Sequence, residues 1–574
     1  MQPKNRFSLL PAGAVRLKGP LGRALDLTVE NRLKQINYRC LVDPFRDRSE
    51  HDKLWRCEFW GKIVRSAIAA WYSTQDEELL ALIRDTVTDL LTTQTPDGCI
   101  TTYPAEFHTQ SCDIWGRKYV LLGLLRYCAM VEPDARVKKA CCGVVDHLMT
   151  QVGPGRKAMT EVGTHLGLSA CSILGAIVGV YRISGDKKYL DYAEWIAESG
   201  CSSKHNIFEE ARKGTPPERI ADGKAYEMMS CFQGLSELYL ELPKPEYRNA
   251  VARFYELVRD REIFVTGLGG LKDQCGEFWY DGKFKQTRAD AGKLGETCIT
   301  TTWIHYAERV LNLFGDPTVG DELERAFYNG LLGAMTPDGT GWIHMNPTPL
   351  AGPSVKRAAV DQMTLNRGTP FHGHDCCLAQ GPEGLALAPL LAVLADERGL
   401  SVNAYEALSA AFSTPSGKPA SLEIAGDYPR RGPVRLTLAL DRPEQFRLAL
   451  RIPAWWTPES RVRCQGRAVD AVPGAYLELD REWRPGDRVE MDFDLSARLE
   501  DDPGGGPRKA VLCGPVVLAQ DSRLGGVDRP IPGIAGMRDA AAPEDPEAFY
   551  LVKKLSDGSR LCDYASAGNR FSDD

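Results

Sequence analysis

Two short stretches hold residue types that bind soft metals or act as nucleophiles. In "GETCITTTW", Glu296 and Cys298 stand two apart; in "HDCCLAQGPEG", Cys376 and Cys377 are adjacent in a turn-like setting. Residues i and i+2 do not share a helix face, so Glu296 and Cys298 converge on one atom only from the opening turn of a following helix, which Thr297 would help to cap. One carboxylate and three thiolates form a plausible closed tetrahedral site for zinc, which takes sulfur and oxygen donors. The spacing is unlike a zinc ribbon or finger. Three core thiols and a solvated glutamate remain the plain alternative, and the second vicinal pair, Cys141 and Cys142 in "KKACCGVVDHLM", reads as helix packing.

A free thiol with a pKa of about 8.5 is only a few per cent thiolate at pH 7, whereas a zinc-bound thiol is deprotonated. The gain in nucleophile is roughly thirtyfold, about 2 kcal/mol, so such a thiolate still needs an acid for its leaving group. Glu277 in "CGEFWYDGKF" is the candidate, because Phe278, Trp279 and Tyr280 would desolvate its carboxyl and raise its pKa. A surface hairpin with a solvated glutamate is the competing reading.

The elements that must position these groups are helices. From about residue 50 to 395 apolar residues recur at threes and fours, as in "EFWGKIVRSAIAAWY", "WGRKYVLLGLLRYCAMV", "AYEMMSCFQGLSELYLEL" and "TCITTTWIHYAERVLNLF". Connectors such as "YSTQDEEL", "AMVEPDARV" and "RISGDKKYL" each join an apolar helix to a more amphipathic one, about 50 to 70 residues apart, which predicts a helical hairpin as the repeat. Glycines and aromatics at the heads of the apolar helices favour a closed toroid around one cavity over an open solenoid. After residue 395 short alternating runs such as "ASLEIAGDY", "VRLTLALD" and "AYLELDREW" predict a β-sandwich and tail over 396–574. The expected division is an N-terminal extension, 1–30, that adds a strand to the β region, a helical toroid over 31–395, and the β region.

A chain of 574 residues exceeds the usual size of one core, and 43% hydrophobic with 26% charged residues is ordinary for a globular protein. A net charge of −7 gives no sign of a nucleic-acid partner. The N-terminus lacks the apolar core of a secretory signal, and no later run approaches the roughly 18 apolar residues of a membrane span, so no membrane partner and a cytoplasmic location are expected. Seventeen cysteines without an export signal argue for reduced thiols.

Taken together, "EFWGK", "DIWGRKYVLLGLL", "KAYEMMSCFQGL", "GETC", "ERAFYNGLLGAMTPDGTGWIHMNPTP" and "HDCC" resemble glycoside hydrolase family 127, the β-L-arabinofuranosidase-like proteins, over roughly residues 25 to 410. The resemblance implies an (α/α)6 barrel followed by β-sandwich domains. It also implies zinc on Glu296, Cys298, Cys376 and Cys377, with Cys376 as nucleophile and Glu277 as general acid/base of a retaining double displacement.

The departures concern the sugar. Where arabinofuranosidases of this type place histidines at the heads of inner helices, this chain has Lys118, Ala170 and Lys224, and His344 stands where a tyrosine is expected. The expected substrate is a terminal L-arabinofuranose-like sugar or, given two lysines, a carboxylated one. Glu58, Trp60, Trp115 and His165 are further candidates at the mouth; packing and capping are their plain alternatives. His372 and His374 suit an outer hydrogen-bonding role. The rival functions are a sugar epimerase or lyase on the same toroid, and a non-catalytic sugar-binding toroid with structural zinc. A homodimer is left open.

Overall fold

The computed structural model describes residues 4–51, 55–270, 277–287, 294–347, 376–525, 530–531, 533–540 and 549–569. The apolar segments become inner helices: Phe59–Thr74, Asp113–Met130, Leu174–Ser184, Ala225–Glu241, Thr297–Phe314 and Cys376–Ala392. They pack side by side in chain order, and the sixth docks against the first, which closes the ring as an (α/α)6 barrel. Two of the close approaches need glycine: a Cβ on Gly61 would lie 2.2 Å from the Tyr119 carbonyl oxygen, and one on Gly234 would lie 2.7 Å from the Gly175 nitrogen.

Outside this ring lie the amphipathic helices Glu77–Leu91, Ala135–Gln151, Lys187–Glu198 and Pro245–Arg261, each against the inner helix that precedes it. The first buries Leu79, Leu80, Ile83, Thr86, Val87 and Leu90 on one face at helical spacing and turns the opposite face to solvent. The recurring connectors are capping signals. The side chains of Asp76, Asp134 and Asp186 accept backbone N–H groups that the first turn of each helix leaves unpaired.

The "CCLAQGPEG" stretch is not a turn. It opens the sixth inner helix, which runs through Pro382 and Pro389 and is almost wholly buried. Its glycines serve packing: a Cβ on Gly381 would lie 2.4 Å from the Trp342 ring, and one on Gly384 would lie 2.8 Å from Thr301 Oγ1. A second expectation also fails in part. His165–Ser184 is apolar enough and, at 20 residues, long enough to cross a membrane, but most of it is buried inside the barrel, where it builds the third wall.

Among the described residues the β region holds three sheets of five, seven and six strands. The first pairs Ser8–Leu9 with Val393–Asp396, and the second ends on Val15–Leu17 against Leu408–Ser413, so the start of the chain borders two sheets built mostly from its second half. In Pro433–Leu440 alternate residues Val434, Leu436 and Leu438 point inward, as a half-buried strand requires. The barrel and sheets are riveted at Arg451, whose buried guanidinium lies 2.7 Å from both Asp321 and Glu324 of the helix Val319–Arg325. Asn329 adds a second rivet. Its side chain donates to the Pro515 carbonyl at 2.9 Å and accepts from the Val517 N–H at 2.8 Å.

Candidate active site and metal centre

A two-stranded ribbon, Leu294–Glu296 with Met345–Pro347, ends at the head of the fifth inner helix and sets Glu296 opposite Met345. Glu296 is the N-cap of that helix and Cys298 lies in its first turn, so the i, i+2 pair converges from the opening turn. Thr297 does not cap the helix. Its hydroxyl donates to the Ile343 carbonyl at 2.6 Å and its N–H to the His344 carbonyl at 3.0 Å, which fastens the ribbon instead.

The sixth inner helix brings the vicinal thiols to the same point. Cys377 Sγ lies 3.1 Å from Cys298 Sγ, 3.5 Å from Glu296 Oε1 and 3.9 Å from Cys376 Sγ. Glu296, His344, Cys376 and Cys377 each present a ligand-type atom within 4.8 Å of the others. His344 Nε2 is 3.5 Å from Glu296 Oε1. Tetrahedral zinc with bonds of about 2.3 Å spaces its sulfurs about 3.8 Å apart, a spacing that Cys376 and Cys377 have and that Cys298 and Cys377 undercut. The set fits a cation on a second count. Glu296 is fully buried and its Oε2 has no hydrogen-bond partner, an arrangement that is costly for a carboxylate unless a positive charge faces it. Burial, with Glu277 adding to it and His344 opposing, pushes the Glu296 carboxyl up to about 8.

Glu277 stands beside this set, but its charge state reverses the expectation from sequence. The aromatic run does not leave it a raised pKa. Burial pushes the carboxyl up, yet the Lys224 ammonium in direct contact with it, aided by His344 and Lys62, outweighs burial and holds it down at about 2. Two backbone bonds fix the partnership: the Ala225 N–H donates to the Glu277 carbonyl and the Trp279 N–H to the Gly223 carbonyl, each at 2.8 Å. Lys224 is thus engaged by a protein carboxylate at the head of the fourth inner helix, with Glu227 at 3.9 Å as a second one.

The other expected residues divide. Lys118 is buried, 3.3 Å from the Ser230 hydroxyl and 3.6 Å above the Trp115 ring, and burial drives its pKa well below the usual lysine value. Glu58 pairs with Lys62 at 2.8 Å and accepts from the Trp115 indole N–H. Trp60 is a core residue, fully buried with its indole N–H on Thr86, and has no face for a sugar. Ala170 is likewise buried in the core. His165 pairs with Asp222 at 2.9 Å and meets the edge of Phe278, which braces the Glu277 segment. His372 and His374 lie outside the described residues.

Sequence reading missed Lys62 and Glu227, both buried. Lys62 sits on the first inner helix within the very "EFWGK" segment singled out, and a lysine amid a run of apolar residues was the available signal. It also missed Glu383 of the sixth helix, which binds Arg65 at 2.9 Å, Arg126 at 2.6 Å and His305 at 3.0 Å. A second group of ligand types, Cys99, His108 and His147, gathers behind the barrel wall. Its imidazole nitrogens are already engaged: by Gln151 and the Tyr103 carbonyl on His108, and by Arg117 and Asp97 on His147. With the Arg117 guanidinium in contact, this is a hydrogen-bonded brace.

Comparison with known proteins gives a consistent result. The profile described as "beta-L-arabinofuranosidase, GH127 catalytic domain" matches residues 23–389, and that of the GH127 middle domain matches 399–495. A non-reducing end beta-L-arabinofuranosidase of Bifidobacterium longum subsp. longum is 22% identical over 393 residues, which cover 62% of this chain and 57% of that protein. The match therefore spans less than two thirds of that relative. The crystal structure of a GH127 beta-L-arabinofuranosidase from Geobacillus stearothermophilus T6 superposes with a TM-score of 0.74 at 19% identity, covering 97% of this chain and 98% of that one. A second GH127 beta-arabinofuranosidase superposes at 0.76 and 19% identity, covering 99% and 96%.

Proposed function

This chain belongs to glycoside hydrolase family 127, the beta-L-arabinofuranosidase family, and from that premise we propose that it is a retaining, exo-acting glycosidase that removes a terminal L-arabinofuranose-like sugar. The observation that carries the reading is the convergence of the Cys298, Cys376 and Cys377 thiols with the buried, half-unpartnered Glu296 carboxylate, beside Glu277. Zinc would be held by Glu296, Cys298, Cys376 and Cys377, and when bound it keeps a coordinated thiol deprotonated near neutral pH.

Cys376 is the nucleophile in this reading, because it alone of the three thiols is partly exposed while Cys298 and Cys377 are buried. Its sulfur attacks the anomeric carbon, the C–S bond forms as the glycosidic C–O bond breaks, and the departing oxygen takes its proton from the Glu277 carboxyl, which is left ionised. In the second half-reaction Glu277 takes a proton from water as the water oxygen displaces the thiolate. Two inversions retain the anomeric configuration. A carboxylated sugar finds less support than Lys118 and Lys224 alone suggested, since Lys224 is paired with Glu277, while Lys118 lies against Ser230 and the Trp115 ring with burial opposing its charge.

The test is metal content together with product. About one zinc per chain, a free pentose released with retention, and a roughly 10²–10⁴-fold loss of turnover in Glu277→Gln with zinc unchanged are expected. Zinc without cleavage of any pentofuranoside would leave a sugar-binding toroid with a structural metal, and an unsaturated or merely epimerised product would move the chain to another reaction class.

A further inference from the structure

Glu277 is tied by its own backbone to the head of the fourth inner helix, and the chain that carries it has a second hold a few residues on. Glu262, which caps the end of the outer helix Pro245–Arg261, is fully buried and accepts three consecutive backbone N–H groups. Its Oε2 takes those of Tyr280 at 3.2 Å and Gly282 at 3.0 Å, and its Oε1 takes that of Asp281 at 3.0 Å. Successive amides turned on one point form an anion nest, and here a side chain of the protein fills it. Burial pushes the pKa of this carboxyl up, and the three amides pull the other way.

What Glu262 grips is strained. Asp281 has a φ of 66°, a left-handed backbone that a residue with a side chain keeps only where its surroundings over-determine it. The Arg261 guanidinium, 2.8 Å from the Asp281 carboxylate, adds to the grip, and Gly282 leaves room for the Phe264 and Tyr280 rings, which a Cβ there would meet at 2.8 Å. The same stretch of chain also reaches the metal centre. From Glu262 the backbone runs on to Gly269, whose carbonyl accepts the Glu296 N–H at 3.3 Å, and Thr266 on the way accepts the Gly330 N–H at 2.9 Å. The buried Trp279 ring packs on Gly269, where a Cβ would lie 3.4 Å from it. Residues 262–269 thus touch the Glu277 segment on one side and the carboxylate end of the ligand set on the other.

We propose that Glu262 is a positioning residue for the acid/base: by gripping residues 280–282 it fixes the reach of the Glu277 carboxyl to the glycosidic oxygen, in one frame with Glu296. The inference rests on the reading of Glu277 as the acid/base of a glycosidase. Glu262 itself touches no substrate and moves no proton. A misplacement of about 1 Å in a reacting group costs on the order of 10²-fold in rate, so a loosened grip is read at the proton transfer.

The experiment compares a nitrophenyl glycoside, whose phenolate leaves unaided, with an alkyl glycoside of the same sugar, whose oxygen leaves only with a proton. Glu262→Gln keeps the size of the side chain but sets an NH2 group against an amide donor. It is expected to lose about 10²-fold in kcat/KM on the alkyl glycoside and less than about threefold on the nitrophenyl one, the same split that Glu277→Gln gives more strongly. Zinc per chain stays unchanged, and hydrogen exchange of the amides over 277–282 quickens. Glu262→Asp, which keeps the acceptors and shortens their reach, falls between wild type and Glu262→Gln, and it carries the same comparison should the glutamine variant not fold. Equal losses on both glycosides, or no loss on either, would overturn the proposal. A wild type that cleaves neither glycoside would instead sink the glycosidase reading, and a Glu277→Gln variant without the split would sink the acid/base reading; each removes the ground of this inference by a different result.

Discussion

Cysteine spacing alone could not choose between a metal site and core packing, and the residue that decides is Glu296. A carboxylate with 0% exposure and one oxygen unpartnered belongs either with a cation or with a proton. His344 sharpens the question, since it reaches the same oxygen edge as Cys377. If Cys298 is a ligand and His344 only orients Glu296, Cys298→Ser should drop zinc well below one per chain by elemental analysis. His344→Gln should keep it while weakening affinity by roughly 10- to 100-fold in a competition titration with a chelator. Equal loss in both would make His344 a ligand. The thiols and Glu296 were legible in the sequence because their types are scarce and their spacing odd. Lys224 against Glu277 was not, because a pairing 53 positions apart leaves no local pattern.

Among the elements, the ring of inner helices carries its own electrostatic clamp. Glu383 of the sixth helix holds Arg65 of the first, Arg126 of the second and His305 of the fifth, so one carboxylate ties four walls together. Burial works against its charge, but Arg65, His305 and Arg126 hold its carboxyl far below the ordinary glutamate range. A depressed folded-state pKa means that the stabilisation is complete above about pH 4.3, where unfolded glutamate ionises, and is lost as pH falls through the folded value. Thermal melting should therefore show stability falling below about pH 4, and Glu383→Gln should cost about 3–5 kcal/mol near pH 7 while flattening that acid limb. An unchanged acid limb would assign the loss to other carboxylates. This helix was the least legible element. Its "GPEG" has turn composition, and only tertiary packing against Trp342 and Thr301 shows why the glycines are there.

At the scale of the molecule, barrel and sheets share buried charge through Arg451, Asp321 and Glu324. Gly320 is part of the fit, as a Cβ there would lie 2.3 Å from Arg451 Cδ. Wild type should melt in one calorimetric transition, and Arg451→Ala, which strands two buried carboxylates, should lose about 3–5 kcal/mol and split that transition. Two transitions already in wild type would show that the rivets do not couple the parts. The helical and β halves were readable from the switch between periods of 3.6 and 2, yet the closure of the ring and the pairing of Ser8 with Ala395, 387 positions on, were beyond any local signal.

That closure sets a schedule for synthesis. The ring is shut by its first and last helices, so a nascent chain must carry an unclosed, largely apolar arc until residue 392 has left the ribosome, roughly 20–80 s at 5–20 residues per second. Its opening strands wait equally long for their sheet partners. The barrel behaves as a clasp and not a zipper, and throughout that interval its exposed inner faces are what a chaperone would have to shield.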